Sequence, residues 1–479
     1  MFNNRIQTSM LVVLAAVGAL NVTVGLPPAL AQFEFAKILA SDGLEGDGFG
    51  YSVALSGDTA VIGAWFNDNH AGSAYVYRYD GLSWVQEAKL QASDRAPWDL
   101  FGWSVDISDE TVVVGAIRDA DAGSFTGSAY IFRFDGSKWV EEQKLQACDY
   151  AYWDEFGFSV AISGDIAVIG AIRNDDNDPN SGSAYIFRFD GLSWVEEQKL
   201  LASDGATEDH FGNSVAISGN TAVVGAYLHD SPSNSGAAYV FRFDGSKWAE
   251  EQKLLALDTT YADHLGFSVA ISGETIVVGA YGDDNADPGN IYCNSGSAYV
   301  FRFNGSNWVE ETKLQVPDSE CGNQFGWTVD ISGDTVVVGG PDGHWESTSG
   351  PGFAYVFGFD GSNWIRGAKL TGSDTAYGDH FGWSVGISGG TALIGADWDD
   401  DNGLDSGSAY AFYVAVHPGD FDADGDVDLE DFAIFASAWL TESGKTGWNP
   451  DCDINVPADK SVGMLDLIVF AEHWLAAVE

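Results

Sequence analysis

Basic residues are scarce in this 479-residue chain, with 21 Lys and Arg against 71 Asp and Glu and a formal net charge of −50. So acidic a surface repels phosphate backbones, which excludes nucleic acid as a partner. Cysteine is nearly missing: Cys148, Cys293, Cys321 and Cys452 show none of the close spacing of a zinc or redox site. Long apolar runs are absent beyond the first residues. There, Arg5, an apolar stretch over 10–20 and Ala29-Leu30-Ala31 make the pattern of a secretory signal over residues 1–31. Asn21, Pro27 and Pro28 interrupt that stretch, so no membrane span is expected once it is cleaved. Disorder is excluded as well, because 45% of residues are apolar and 17 are Trp.

What the chain does have is one cassette repeated seven times. A Phe-Gly pair falls at Phe49, Phe101, Phe156, Phe211, Phe325 and Phe381, with Leu265 replacing Phe in the fifth copy. A second glycine, at Gly63, Gly115, Gly170, Gly225, Gly279, Gly339 and Gly395, follows 14 residues after each. The period of 52 to 60 residues, dense in short apolar segments, predicts a propeller or an array. Each copy holds four strand-like segments, in the fourth copy 214–218, Thr221–Ala226, 238–243 and Trp248–Leu254. Ser-Gly-Asn-Thr and Asp-Gly turns join them pairwise, so the strands are expected to be antiparallel neighbours. The fourth segment carries the charge and reads as a solvated outer edge.

The seventh copy ends near Val416 without a Trp segment. Its counterpart stands at the other end, where residues 33–42 parallel 194–204. The N-terminal segment is therefore expected to supply the outer strand of the last blade, giving an all-β seven-bladed propeller over residues 32–416. These residues resemble the FG-GAP repeats of the integrin α-chain propeller, in the bacterial variant that reads Ser-Val-Ala-Ile-Ser-Gly-Asp-Thr-Ala-Val-Val-Gly-Ala. The integrin-type repeat carries an Asp-rich calcium loop between its first two strands. Here that position is a two-residue turn such as Gly57-Asp58 or Gly164-Asp165, so those calcium sites do not carry over.

After Val416 the composition changes. Asp420, Asp422, Asp424, Asp428 and Asp431 occupy positions 1, 3, 5, 9 and 12 of a loop, with Gly425 at position 6 and Asp426 at position 7 offering its carbonyl. Hard Ca²⁺ takes six to eight oxygens in this arrangement. A helix is expected next, with Phe432, Phe435, Ala436 and Trp439 on one face, and segment 431–440 matches 466–475. Two loop–helix units over residues 417–479 resemble a type I dockerin, a small α-helical module with paired EF-hand-type loops that binds Ca²⁺ and docks onto cohesins. In the second loop Asp451, Asp453, Asn455, Asp459 and Asp466 stand as ligands, although residues 456–458 are inserted and Lys460 takes the glycine position. Leu429-Glu430 and Met464-Leu465 replace the Ser-Thr-type pair usual in dockerins, so the resemblance implies a cohesin-like protein partner with a more apolar docking surface.

Strand order sorts the propeller's loops. Both tight turns fall on one face and both longer loops of every copy on the other, where recognition is expected. Cys293 and Cys321 lie in such loops of adjacent copies and are expected to bond in an exported protein, with Cys148 and Cys452 left unpaired. Each loop before Phe-Gly holds two acids five residues apart, as in Asp42/Asp47 and Asp204/Asp209, with Asp318/Asn323 in the sixth copy, read as caps of the turn into the inner strand. His210, His264 and His380 follow three of them without a paired nucleophile, so no catalytic residue is assigned. Trp65, Trp98, Trp153, Tyr227, Tyr281, Trp345 and Trp398 are the candidate ligand-binding rings, flat surfaces suited to a glycan or a protein, against the alternative that they plug the channel mouth. The expectation is a secreted or cell-surface binding or adhesion protein. The rival is a part in polysaccharide breakdown, as a glycoside hydrolase or an accessory carbohydrate-binding protein carried by a dockerin.

Overall fold

The computed structural model describes residues 32–120, 125–230, 234–284, 293–318, 320–341 and 350–414. The expected signal (1–31), the dockerin-like segment with its eleven candidate calcium ligands, Cys452 and Trp345 lie outside the described residues.

Residues Gln32–Val414 form one unit of seven four-stranded antiparallel sheets. In the first blade the strands run Phe49–Ser56, Thr59–Ala64, Ser73–Tyr79 and Trp84–Leu90 from the inside outward. The following blades occupy 101–145, 156–200, 215–254, 269–314 and 328–370. The seventh closes the ring as expected: Ser384–Ser388, Thr391–Ala396 and Ser408–Val414 are completed by Gln32–Ile38, which pairs antiparallel with the last of them. Closure leaves no open seam for edge-to-edge pairing.

The second and third strands of each blade alternate between two faces, and both faces are buried against neighbouring blades. Val61 and Val76 of the first blade meet Phe101, Val112, Val114 and Tyr130 of the second in one apolar cluster. Phe101 is 0% exposed, and burying such a ring is worth about 1.5–3 kcal/mol. The glycines of the cassette mark where adjacent backbones touch. Gly72 forms a parallel bridge with Phe101, and a Cβ on it would lie 1.9 Å from the Phe101 carbonyl oxygen. Its φ of +84° is a second reason for glycine there.

The serine of Ile-Ser-Gly-Asp closes a second ring. Ser388, Ser56, Ser108, Ser163, Ser218, Ser272 and Ser332 each accept a hydrogen bond of 2.9–3.2 Å from the turn N–H of the next blade. The turn face is thus uniform around the molecule.

The outer strand is less solvated than its charge suggests. Glu87, Glu142, Glu197, Glu251 and Glu311 accept the indole N–H of the following blade's Trp at 2.9–3.1 Å. Gln143 accepts from the Trp194 N–H and donates to its carbonyl, both at 2.8 Å. The charged edge is a socket for the next blade.

Candidate functional site

On the loop face, the paired residues of each entering loop, two acids in six copies and Asp318 with Asn323 in the sixth, have separate tasks. The second caps the turn, as expected: Leu44 N–H donates to Asp47 at 2.8 Å, and Ala206 N–H to Asp209 at 2.8 Å. The first makes a latch that sequence reasoning missed. Asp42 accepts the Tyr75 hydroxyl at 2.8 Å and the Lys89 ammonium at 2.7 Å. The same trio recurs in every blade, as Asp94–Tyr130–Lys144 and Asp204–Tyr239–Lys253 among others. In the seventh blade Lys37 of the closing strand fills the lysine position, 2.9 Å from Asp374. Burial works against the charge on Asp42, but the bonds from Lys89 and Tyr75 outweigh it and hold the carboxyl below its ordinary range.

A third residue, three after the Gly-Ala alanine, joins the latch. It is Asn67, Asp119, Asn174, His229, Asp283 or Asp399. Where it is Asn, its amide donates to the capping acid, as from Asn67 to Asp47 at 2.8 Å. Where it is Asp, carboxylates crowd together: burial, then the charge of Asp119, pushes Asp99 up to about 6. Each of these acids faces a lysine or a backbone amide, and among the described residues no group of His, Cys, Asp and Glu is arranged to hold a metal ion.

The centre of the loop face is floored by the residue after each Phe-Gly. Phe158, Trp103, Tyr51, Trp383, Trp327 and Phe267 follow one another with ring centroids 4.5–5.6 Å apart. Asn213 interrupts the series and donates to the Phe267 carbonyl at 2.7 Å. Below this floor the channel is lined by inner-strand Val and Ile side chains, with Asp106 and Asp330 among them. The other five blades carry Ala54, Ala161, Ala216, Ala270 and Gly386 at that position. Asp106 accepts from Ile107 N–H at 2.8 Å and from Ile162 N–H of the next blade at 2.6 Å, and Asp330 repeats this with Ile331 and Ile387. Burial is the main cause that pushes Asp106 up to about 7 and Asp330 up to about 6.

Against this frame the candidate rings divide. Trp65 packs 4.9 Å from Tyr51, Tyr227 packs 5.3 Å from Phe267, and Tyr281 packs 4.6 Å from Phe267, so these three extend the floor and are half-buried. Trp98, Trp153 and Trp398 stand out from it at 51%, 37% and 43% exposure. Trp98 stacks on His70 at 4.1 Å and Trp398 on His380 at 4.0 Å. The three histidines are structural in their surroundings: His210 meets Glu208 at 3.3 Å, His264 stacks on Tyr281, and His380 meets buried Asp397 at 3.3 Å. Cys293 and Cys321 are bonded, and Cys148 is free.

Comparison with known families matches the FG-GAP repeat at residues 33–77, 84–132, 139–187, 194–241, 248–301, 308–357 and 364–412. Each matched unit starts on an outer strand and ends on the third strand of the following blade, the same one-strand offset that closes the ring. With seven matched units spread over the whole propeller, the chain belongs to the FG-GAP repeat family.

Proposed function

We propose that this is an extracellular or cell-surface binding protein whose propeller holds a glycan or a protein on its loop face. Residues 417–479 would then form a calcium-dependent, dockerin-like module that docks the propeller to an extracellular assembly. The observation that carries the reading is the contrast between the two faces. The turn face repeats around the ring through its serine bonds, whereas the loop face changes from blade to blade in its rings and charges. Variation laid on a rigid scaffold is the usual basis of selective recognition. FG-GAP propellers are typically extracellular or surface-exposed, and among the described residues no helix is long and apolar enough to cross a membrane.

Calcium enters through the sequence of the C-terminal segment. Asp420, Asp422, Asp424, Asp426, Asp428 and Asp431 make one complete oxygen set, and Asp451, Asp453, Asn455, Asp459 and Asp466 a second, less regular one. A module of that size buries too little core to fold alone, so calcium would supply the missing stability. The test uses the full chain as bait on secreted and envelope proteins of the source organism, first with calcium and then with chelator. A protein retained only with calcium, and lost with Asp420→Ala plus Asp424→Ala, is the expected result. Equal retention in chelator would overturn calcium-dependent docking.

The exposed Trp98, Trp153 and Trp398 also favour a second reading, a component of polysaccharide breakdown. A hydrolytic version requires two carboxylates about 5–10 Å apart beside the bound sugar. Release of reducing sugar by the purified chain would separate it from a binding role.

A further inference from the structure

The loops of neighbouring blades meet at one repeated contact. The residue three before a Phe-Gly pair meets the residue two before the glycine that opens the third strand, as Trp98 with His70, Trp153 with Phe125, Glu208 with Asn180 and Gly378 with Gly350. The first position is left-handed in all seven copies, with φ from +60° to +94° at Gly46, Trp98, Trp153, Glu208, Ala262, Gly322 and Gly378. Glycine is the residue this backbone favours, and an L side chain there costs about 1–2 kcal/mol. In six copies the second position is left-handed as well. It holds His70, Asn180, Asn234, Asn294 and Asp405, types that tolerate the conformation, but also Phe125.

Bulky aromatics therefore sit in left-handed backbone at three places, Trp98 (φ +78°), Phe125 (φ +58°) and Trp153 (φ +73°). All three fall in the sector formed by the first three blades. Persistent strain of this kind points to a task outside folding. The contacts show what the strain achieves. Trp98 lies flat on His70, with centroids 4.1 Å apart and planes at 22°. One blade on, Trp153 lies on Phe125 at 4.4 Å and 36°. At the next equivalent contact the pair is polar, Asn180 donating to Glu208 at 2.8 Å. The two Trp rings are thus successive copies of one platform, each packed on a ring of the neighbouring loop and partly exposed.

Resting on the reading of the loop face as the binding face, we propose that Trp98 and Trp153 are two successive stacking platforms for the sugar rings of a polysaccharide chain. A repeated platform suits a ligand with repeated flat units, and a ring exposed on one side suits the apolar face of a pyranose. The surroundings are polar. Arg118 and Arg173 lie 5.6 and 6.0 Å from the Phe125 and Trp153 rings, Glu155 pairs with Arg173 at 3.3 Å, and Arg95 pairs with Asp68 at 3.3 Å. A protein partner would favour a continuous apolar patch over two rings set among charges.

The test is affinity electrophoresis of the full chain through gels containing xylan, galactomannan, hydroxyethyl cellulose or polygalacturonate. Trp98→Gly and Trp153→Gly restore the residue that three other blades carry, so the thermal midpoint should stay within about 5 °C. At least one polysaccharide should retard the wild type, each single variant should bind more weakly, and the double variant should lose roughly ten-fold or more in affinity. Leu192→Ala, on the turn face, should leave retardation unchanged. Retardation that survives the double variant overturns the platform and leaves the loop face as the binding face. Capture of a protein without retardation by any of the four gels overturns the glycan and keeps loop-face binding. Failure of both captures removes the loop-face reading too.

Discussion

At the scale of single residues, the departures from sevenfold regularity carry the most information. Asp106 and Asp330 replace the Ala or Gly of the other blades in the channel, where burial raises Asp106 to about 7 and Asp330 to about 6. An unfolded Asp titrates near ~3.9, so the folded state binds these protons more tightly. The resulting stability is fully present below pH ~4 and is lost as pH rises through about 6 to 7. Asp106→Ala combined with Asp330→Ala should therefore gain on the wild type in thermal midpoint as pH is raised from 5 to 8. A difference between the two proteins that stays constant over that range would count against protonated carboxyls in the channel. These two acids were invisible in the sequence, since only the blade geometry tells a channel-lining residue from any other strand position.

At the scale of strands and loops, the elements could be read from the sequence and the bonds between them could not. Tight turns, alternating apolar residues and the missing seventh outer strand are all local patterns, and each is realised in the structure. The latches join residues from different segments, as Asp42 with Tyr75 and Lys89, and no local pattern announces such a contact. For the same reason the Lys and Glu of the outer strand looked like an exposed edge. The C-terminal segment, legible as a pattern of calcium ligands, lies outside the described residues. Left-handed positions were hidden at Trp98, Phe125 and Trp153, because sequence signals that conformation only where the residue is Gly, Asn or Asp. The latch makes a clear prediction. Tyr130→Phe removes a buried hydroxyl within hydrogen-bond reach of both Asp94 and Asp119, which should lower stability by about 1–3 kcal/mol in denaturant melts. An unchanged midpoint would mean that the repeated trio contributes nothing to the fold.

At the scale of the whole molecule, closure depends on a segment drawn from the far end of the sequence. Residues 33–38 complete the seventh sheet, Lys37 completes its latch, and Glu34 accepts from Ser373 N–H at 2.6 Å and from its hydroxyl at 2.9 Å. Removing residues 32–40 exposes the edge of the strand Ser408–Val414 along its length. The shortened chain should self-associate in sedimentation experiments, and a synthetic peptide of residues 32–42 should reverse this. A monodisperse, equally stable truncated protein would contradict the closure.

The ring presents its longer loops on one face, where binding is proposed. The most direct measurement is hydrogen–deuterium exchange of the full chain, free and bound to whichever polysaccharide or protein it retains. Slowed exchange is predicted in loops 65–72, 91–100 and 146–155, with the turns at 57–58 and 80–83 unaffected. Protection confined to those turns, with the loops unchanged, would contradict the account.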